Sequence, residues 1–301
     1  AVDKGQVVFH DISFVEASPR YDKKNKLAVN IELSDFSVYY TQGAAEAAIA
    51  ALKEAMTRPD SIGGKAFWAA MYPQHPYGRQ ATPESVAALN RDDLAAFHAR
   101  YYNAANASIT LVGDLSRQDA EKIAESITAG LPKGAPATLP AAPELAAGNT
   151  IALAHPASQA HVFIGLPAIE RGNPDFFPLL VGNYTLGGGG FVSRLMKEVR
   201  DQRGYAYSVY SYFAPMRQTG PFQIGLQTKR SQARDAIKVA RDVLAGFLKD
   251  GPSDEELAAA KANLTGSFPL RLDSNKKILE NVANIGFYGL PLTYLDDFPA
   301  K

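Results

Sequence analysis

The 301-residue sequence contains no cysteine. Disulfide bonds, thiolate metal ligands and a cysteine nucleophile are therefore excluded for this chain, and the absence is compatible with reducing and oxidising compartments alike. Serine offers no evident replacement, because Ser158, Ser193 and Ser208 all lack the glycine-flanked turn that exposes a nucleophilic serine in hydrolases. Covalent hydrolysis by this chain alone is disfavoured.

An excess of charge and long apolar runs are missing as well. The 31 basic residues balance 31 acidic ones, so no overall field attracts nucleic acid or an anionic membrane. No apolar run reaches the roughly 18 residues that cross a bilayer. The start, AVDKGQVVF, lacks the basic and apolar regions of a signal peptide. We expect no nucleic-acid partner, no membrane span, and a signal peptide already removed.

Histidine pairs at helical spacing are the third absence. None of the five histidines (His10, His75, His98, His155 and His161) has another four residues away, so no helix can supply two imidazole ligands one turn apart. His155 and His161 meet at a metal only if the chain turns between them. The favoured interpretation places His155 before a loop and His161 at the start of a strand. We predict no metal ligands in this chain.

Strand and helix patterns alternate along the chain. β-Branched and apolar runs predict strands, and amphipathic periodicity with capping residues predicts helices, the clearest cap being Ser253 with Glu256. The resulting class is α+β, with mainly antiparallel sheets and helices packed on one face of each. The predicted strands are 108–112, 161–166 and 222–228, and the predicted helices begin at Ser116, Ser231 and Asp254.

A segment rich in proline and alanine divides the sequence near its middle. Four prolines among alanines and glycines in residues 131–149 prevent a regular helix and favour an extended connection. We predict a first half over 1–135, a linker over 136–149 and a second half over 150–301. The halves repeat a similar order of elements.

The most distinctive segment, LGGGGFVSRLMKEVRDQRGYAY, covers residues 186–207. Four glycines (Gly187, Gly188, Gly189 and Gly190) precede a predicted helix through Arg200, and Tyr207 begins a strand. A phosphate-binding loop is a weak alternative, because no Lys-Ser or Lys-Thr follows the glycines. On spacing alone, the favoured interpretation makes Arg200 an ordinary helix-end cation and Tyr207 an ordinary strand residue.

This segment resembles the second half of pitrilysin-type processing peptidases, the M16 family of zinc metallopeptidases. RDQRGYAY reproduces the family's arginine, glycine and tyrosine positions, with Tyr205 where leucine is usual, and HPYG at 75–78 resembles a first-half phrase. The family's zinc is held by an inverted His-x-x-Glu-His motif in its first half, which this sequence lacks. The segment of residues 1–50 is shorter than the family's opening strands and zinc-binding helix require. The sequence also stops before the family's closing helix and strand. We therefore expect missing segments.

The resemblance implies the zinc-free subunit of a heterodimeric metalloendopeptidase, with zinc in a homologous partner. Arg200 would hold the substrate, Tyr207 would stabilise the oxyanion, and Gly187 to Gly190 would contact unfolded or short peptides. A non-peptidase scaffold and an active peptidase whose motif is missing from this sequence remain open. Relatives of this type are often exported, so Ala1 suits a periplasmic or envelope protein, with the cytoplasm as the alternative.

Overall fold

The structure is a computed structural model that describes residues 2–3, 6–7, 15–20, 28–33, 42–144 and 147–301. The strands are β1 (Val2–Asp3), β2 (Gln6–Val7), β3 (Val15–Arg20), β4 (Ala28–Leu33), β5 (Gln159–Ile169), β6 (Ala206–Phe213) and β7 (Gly220–Lys229). The helices are α1 (Gln42–Ala55), α2 (Pro59–Met71), α3 (Pro83–Ala87), α4 (Arg91–Tyr101), α5 (Arg117–Thr128), α6 (Phe176–Asn183), α7 (Ala233–Asp250), α8 (Asp254–Gly266), α9 (Asn275–Tyr288) and α10 (Tyr294–Asp297).

The chain forms two compact units that do not follow its linear order. The first combines residues 1–52, 81–139 and 269–294, and the second combines 53–80, 140–268 and 295–301. One passage between them, at Leu139 and Pro140, falls inside the predicted linker. Segments 53–80 and 269–294 are exchanged between the units relative to the order of the chain. The predicted division into two related halves stays a prediction.

The first unit contains helices whose starts follow from their capping residues. The Asn90 side chain accepts from the amides of Asp92 (2.8 Å) and Asp93 (3.1 Å) at the start of α4. Ser116 accepts from the Asp119 amide at 3.1 Å and starts α5 where the sequence predicted it. The predicted strand at 108–112 is wrong, because these residues have no regular structure and no described strand pairs with them.

The second unit contains a three-stranded antiparallel sheet in the order β5-β7-β6. The predicted strands at 161–166 and 222–228 are confirmed as β5 and β7, and the predicted helices after Ser231 and Ser253 are confirmed as α7 and α8. Ala236 and Ala240 of α7 are fully buried in a core that includes Val209, Ile224 and Leu226 of the sheet. The α+β class is confirmed.

A second helix contacts the other side of β5. Val162 and Ile164 pack against the main core, whereas the intervening Phe163 stacks on Phe67 of α2 with ring centroids 5.7 Å apart. Alternate residues of a strand face opposite sides of a sheet, so α2 covers the face that α7 leaves. The sequence did not predict this use of residues 59–71.

The proline-rich segment connects the units as an irregular chain. Residues 131–144 and 147–158 contain neither helix nor strand, as the prolines predicted. Within the part of the chain that the structure describes, no helix is both long and apolar enough to cross a membrane.

Candidate functional site

The glycine run forms two unusual turns after helix α6. Residues Tyr184–Gly188 form a wide turn in which the Gly189 amide donates to the Tyr184 carbonyl, five residues earlier, at 2.8 Å. A tight turn over Gly190–Val192 follows, and Gly190 has φ +62°, a left-handed conformation that favours glycine. Wide π-type turns inside helical segments are frequent at functional sites.

A buried polar pair fixes this turn to strand β6. The Asn183 amide donates to the Ser211 carbonyl at 3.0 Å, and the Ser211 hydroxyl donates back to Asn183 Oδ1 at 2.6 Å. Gly187 packs directly on this pair, because a Cβ there would lie 2.6 Å from the Ser211 backbone nitrogen and 2.7 Å from Leu195 Cδ1. Glycine is therefore required for close approach of the turn to the strand.

The four glycines differ in exposure. Gly187 is buried, Gly189 is half-buried, and Gly188 and Gly190 are exposed. The substrate contact predicted for all four glycines stays a prediction.

A second wide turn leads to Arg200. The helix predicted directly after the glycines begins only at Arg194, three residues beyond Phe191. It changes to a π-type turn over Met196–Asp201, where the Gln202 amide donates to the Lys197 carbonyl at 3.0 Å. Leu195 and Val199 are fully buried and fix one face of this segment in the core. Arg200 lies near the end of the segment, and its side chain is 32% exposed.

Strand β6 contains a bulge at Tyr207. Ala206 pairs with Thr228 and Val209 with Leu226, so three steps on β6 match two on β7. In a regular strand Tyr207 would share the buried face of Val209 and Ser211, since side chains alternate. The extra residue instead leaves both Tyr207 and Ser208 exposed, and Tyr207 is 88% exposed. Bulges re-aim side chains in this way next to active sites.

Together these features place Arg200 and Tyr207 side by side. The Arg200 guanidinium carbon lies 5.6 Å from the centroid of the Tyr207 ring and 4.9 Å from that of Phe191. Arg200 Nη1 also donates to Asp201 at 3.0 Å, which holds one end of the guanidinium. The predicted pair thus forms a cluster of an exposed tyrosine and a half-buried arginine, with a hydroxyl and a cation as donors. Phe191 was not predicted as part of it.

An ion pair supports the segment that leads to Arg200. Arg194 donates from Nε and Nη2 to the two carboxylate oxygens of Glu256 at 2.8 and 2.5 Å, and from Nη2 to the Gly251 carbonyl at 2.9 Å. These bonds, with burial opposing them, lower the pKa of Glu256 to about 2. The pKa of Arg194 is raised by the same hydrogen bonds. The sequence predicted Glu256 only as part of the cap of α8. Arg194 lies 62 residues earlier, and no local sequence pattern connects the two side chains.

Two of the described histidines, His75 and His155, have hydrogen-bond partners in the protein, whereas His10 lies outside the described residues. His75 is buried, and its Nε2 lies 2.7 Å from Gln218 Oε1, while its Nδ1 accepts from the Tyr77 amide at 3.2 Å. His155 Nε2 lies 3.1 Å from the Thr57 carbonyl, and His161 lies in β5. No group of three or more His, Cys, Asp or Glu side chains in the described residues is placed to hold a metal ion.

Comparison with known proteins supports the resemblance. Residues 88–264, more than half of the chain, match the family described as the peptidase M16 inactive domain. An uncharacterized zinc protease of Streptomyces coelicolor is 31% identical over 67% of this chain and 45% of its own length. A non-peptidase homologue of Helicobacter pylori is 32% identical over 71% of this chain and 49% of its own length. The chain thus spans about half the length of the curated relatives it matches.

The solved structures agree with this assignment. A peptidase M16 inactive domain from Pseudomonas fluorescens is 36% identical and superposes with a TM-score of 0.84, covering 89% of this chain and 65% of that one. A protease from Helicobacter pylori shares the fold at a TM-score of 0.73 and 18% identity, over 88% of this chain and 67% of that one. These matches show that the chain belongs to the peptidase M16 family.

Proposed function

We propose that this chain is the non-catalytic subunit of a heterodimeric zinc metalloendopeptidase. It would supply substrate-binding and oxyanion-stabilising side chains to a homologous partner that holds the zinc and the general base. The observation that supports this best is the cluster of Arg200 and Tyr207, which a bulge and a wide helical turn bring together at the surface.

The two side chains suit different parts of peptide hydrolysis. A tetrahedral oxyanion forms at the scissile carbonyl, and a single preorganised donor such as the Tyr207 hydroxyl stabilises it by about 3 kcal/mol. An arginine side chain offers five N–H donors in a fixed geometry, so Arg200 can hold a backbone carbonyl of the substrate. Donation by Arg200 to Asp201 restrains the guanidinium and still leaves further N–H groups to bind peptide.

The residues that the structure describes offer no group of side chains that fits zinc. No helical histidine pair exists in the sequence, and the described acidic and histidine side chains form no cluster for a metal. We therefore place zinc in the partner subunit and derive no step on it here. Unfolded or short peptides are the proposed substrates.

The test is hydrolysis of a quenched fluorescent peptide by a purified homologue that carries the zinc motif, with this chain titrated in. We expect saturable activation by the wild type and about 100-fold weaker activation by Tyr207→Phe, which removes one donor and keeps the ring. Tyr210→Phe on the same strand is the matched control. Equal activation by wild type and Tyr207→Phe would rule out the shared oxyanion site.

A scaffold without peptidase role is the second candidate. The name of the Helicobacter pylori relative, a non-peptidase homologue, favours it. A scaffold would bind the homologous partner but leave its hydrolysis rate unchanged. The same titration, combined with measurement of association by light scattering, separates it from the first proposal.

An active zinc peptidase whose motif lies outside this sequence is the third candidate. Several relatives are named zinc proteases and extend well beyond the matched region. Zinc content and intact mass of the native gene product test it directly. One equivalent of zinc in a product longer than 301 residues would favour this candidate over both metal-free ones.

We also propose a periplasmic or envelope location. A structure of a periplasmic protease from Escherichia coli has the same fold, at 19% identity and a TM-score of 0.66 over 86% of this chain and 29% of that one. Cell fractionation with an antibody against this chain tests the proposal, and recovery in the cytoplasmic fraction would contradict it.

A further inference from the structure

The turn after Gly190 pushes two large apolar side chains into solvent. Phe191 is 70% exposed and Val192 is 73% exposed, although Ser193, which follows them, is fully buried. The turn is fixed from below by Ser193, which is fully buried and donates from its hydroxyl to the Gly190 carbonyl at 2.7 Å. The hydrogen-bonded turn therefore fixes the backbone conformation that directs Phe191 towards solvent.

Phe191 and Tyr207 both contact Arg200. The Arg200 guanidinium carbon is 4.9 Å from the centroid of the Phe191 ring and 5.6 Å from that of Tyr207, so the two exposed rings flank one cation. Such contacts are worth about 0.5–1 kcal/mol at exposed sites. They orient the guanidinium and leave much of each ring open to solvent. Phe191, Val192 and Tyr207 form what we call the apolar platform.

We propose that Phe191 is a specificity-determining residue, because the apolar platform takes a large apolar side chain of a bound peptide while Arg200 holds the backbone next to it. This inference rests on the proposed function, whose site it shares. Exposed apolar groups clustered around a few polar donors are typical of ligand-binding surfaces.

The local charge decides between apolar and acidic side chains. Arg200 is already paired with Asp201, so its charge is partly balanced on the side that the carboxylate covers. An acidic side chain would place a second carboxylate near Asp201. A peptide can instead place a neutral backbone carbonyl against the remaining N–H donors of Arg200 and a large apolar side chain against the two rings. The favoured occupant is therefore a peptide with Phe, Leu or a similar residue.

Direct binding by the 301-residue chain tests the inference without any partner. Three fluorescein-labelled nine-residue peptides of glycine and serine differ only in a central Phe, Ser or Asp, and anisotropy measures their affinities. We expect the Phe peptide to bind about tenfold more tightly than the other two, equivalent to ~1.4 kcal/mol. Phe191→Ala should reduce this preference to within twofold. Leu248→Ala, at an equally exposed apolar residue of α7, should leave it unchanged.

Three results would overturn the inference. They are no preference for the Phe peptide in the wild type, a preference that survives Phe191→Ala, and tightest binding of the Asp peptide. Loss of association with the zinc-bearing homologue on Phe191→Ala, with peptide preference intact, would identify the platform as a subunit contact instead. Because peptide preference is read without hydrolysis, failure of the platform is distinguished from failure of the activation expected for the proposed function.

Discussion

At the scale of single residues, Gly187 shows how one absent side chain positions the site. It lies in the wide turn and touches Ser211 on the strand that bears Tyr207. We expect Gly187→Ala to lower the free energy of unfolding by about 1–3 kcal/mol, because the new methyl group overlaps the strand backbone and Leu195. It should also weaken activation of the zinc-bearing homologue, since the turn and β6 must separate. Urea unfolding and the activation assay measure both effects.

Gly182 is the matched control for this substitution. It lies in α6, and a Cβ there would meet only Phe247 at an ordinary contact distance of 3.6 Å. Gly182→Ala should be neutral or stabilise the protein by about 0.5–1 kcal/mol, because alanine is the better helix former. Equal destabilisation by the two substitutions would show that Gly187 has no special role in packing the turn on β6.

At the scale of elements, the ion pair between Arg194 and Glu256 joins the segment before Arg200 to helix α8. The folded-state pKa of Glu256, about 2, lies below its ordinary value of 4.5. The pair therefore adds stability above about pH 4.5, and that stability is lost as the pH falls towards 2. With about a third of each side chain exposed, we expect ~1–2 kcal/mol at neutral pH.

Glu256→Gln should remove that stability at pH 7 and flatten the dependence of unfolding free energy on pH between about 4.5 and 2. Glu255→Gln, in the same first turn but exposed, should cost less than ~0.5 kcal/mol. Urea unfolding across this pH range measures both variants. A Glu256→Gln profile as steep as that of the wild type would contradict the assigned contact.

At the scale of the whole molecule, residues 53–80 belong to the second unit although they precede the linker. His75 and Tyr77 bind Gln218 more than 140 residues later, and the Tyr72 hydroxyl donates to the Thr219 carbonyl at 3.1 Å. Burial of the Tyr72 hydroxyl raises its pKa. These contacts fix the turn between β6 and β7.

We expect His75→Ala to lower the free energy of unfolding by about 1–3 kcal/mol, because Gln218 Oε1 and the Tyr77 amide lose the hydrogen bonds that the buried His75 makes with them. Amide hydrogen exchange should accelerate at residues 217–219. His155→Ala, at a more exposed histidine, should cost below ~1 kcal/mol. Unchanged exchange at 217–219 in His75→Ala would show that the early segment does not hold this turn.

Local signals in the sequence were enough for several elements of the second unit. Alternating and amphipathic runs placed β5, β7, α7 and α8, and Ser253 with Glu256 formed the predicted capping box. They failed at residues 108–112, where strand propensity found no described partner strand. A helix cap is made within one turn of chain, whereas a strand exists only with its neighbour.

The sequence by itself determined the α+β class, the peptidase M16 family and the candidate pair Arg200 and Tyr207, because motif and periodicity are local properties of the chain. Only the tertiary structure decided that a bulge turns Tyr207 outward, that Gly187 is buried, and that Phe191 flanks Arg200. Bulges, close backbone approaches and ring contacts depend on how distant segments pack. Their energies arise between elements, so no window of sequence contains them.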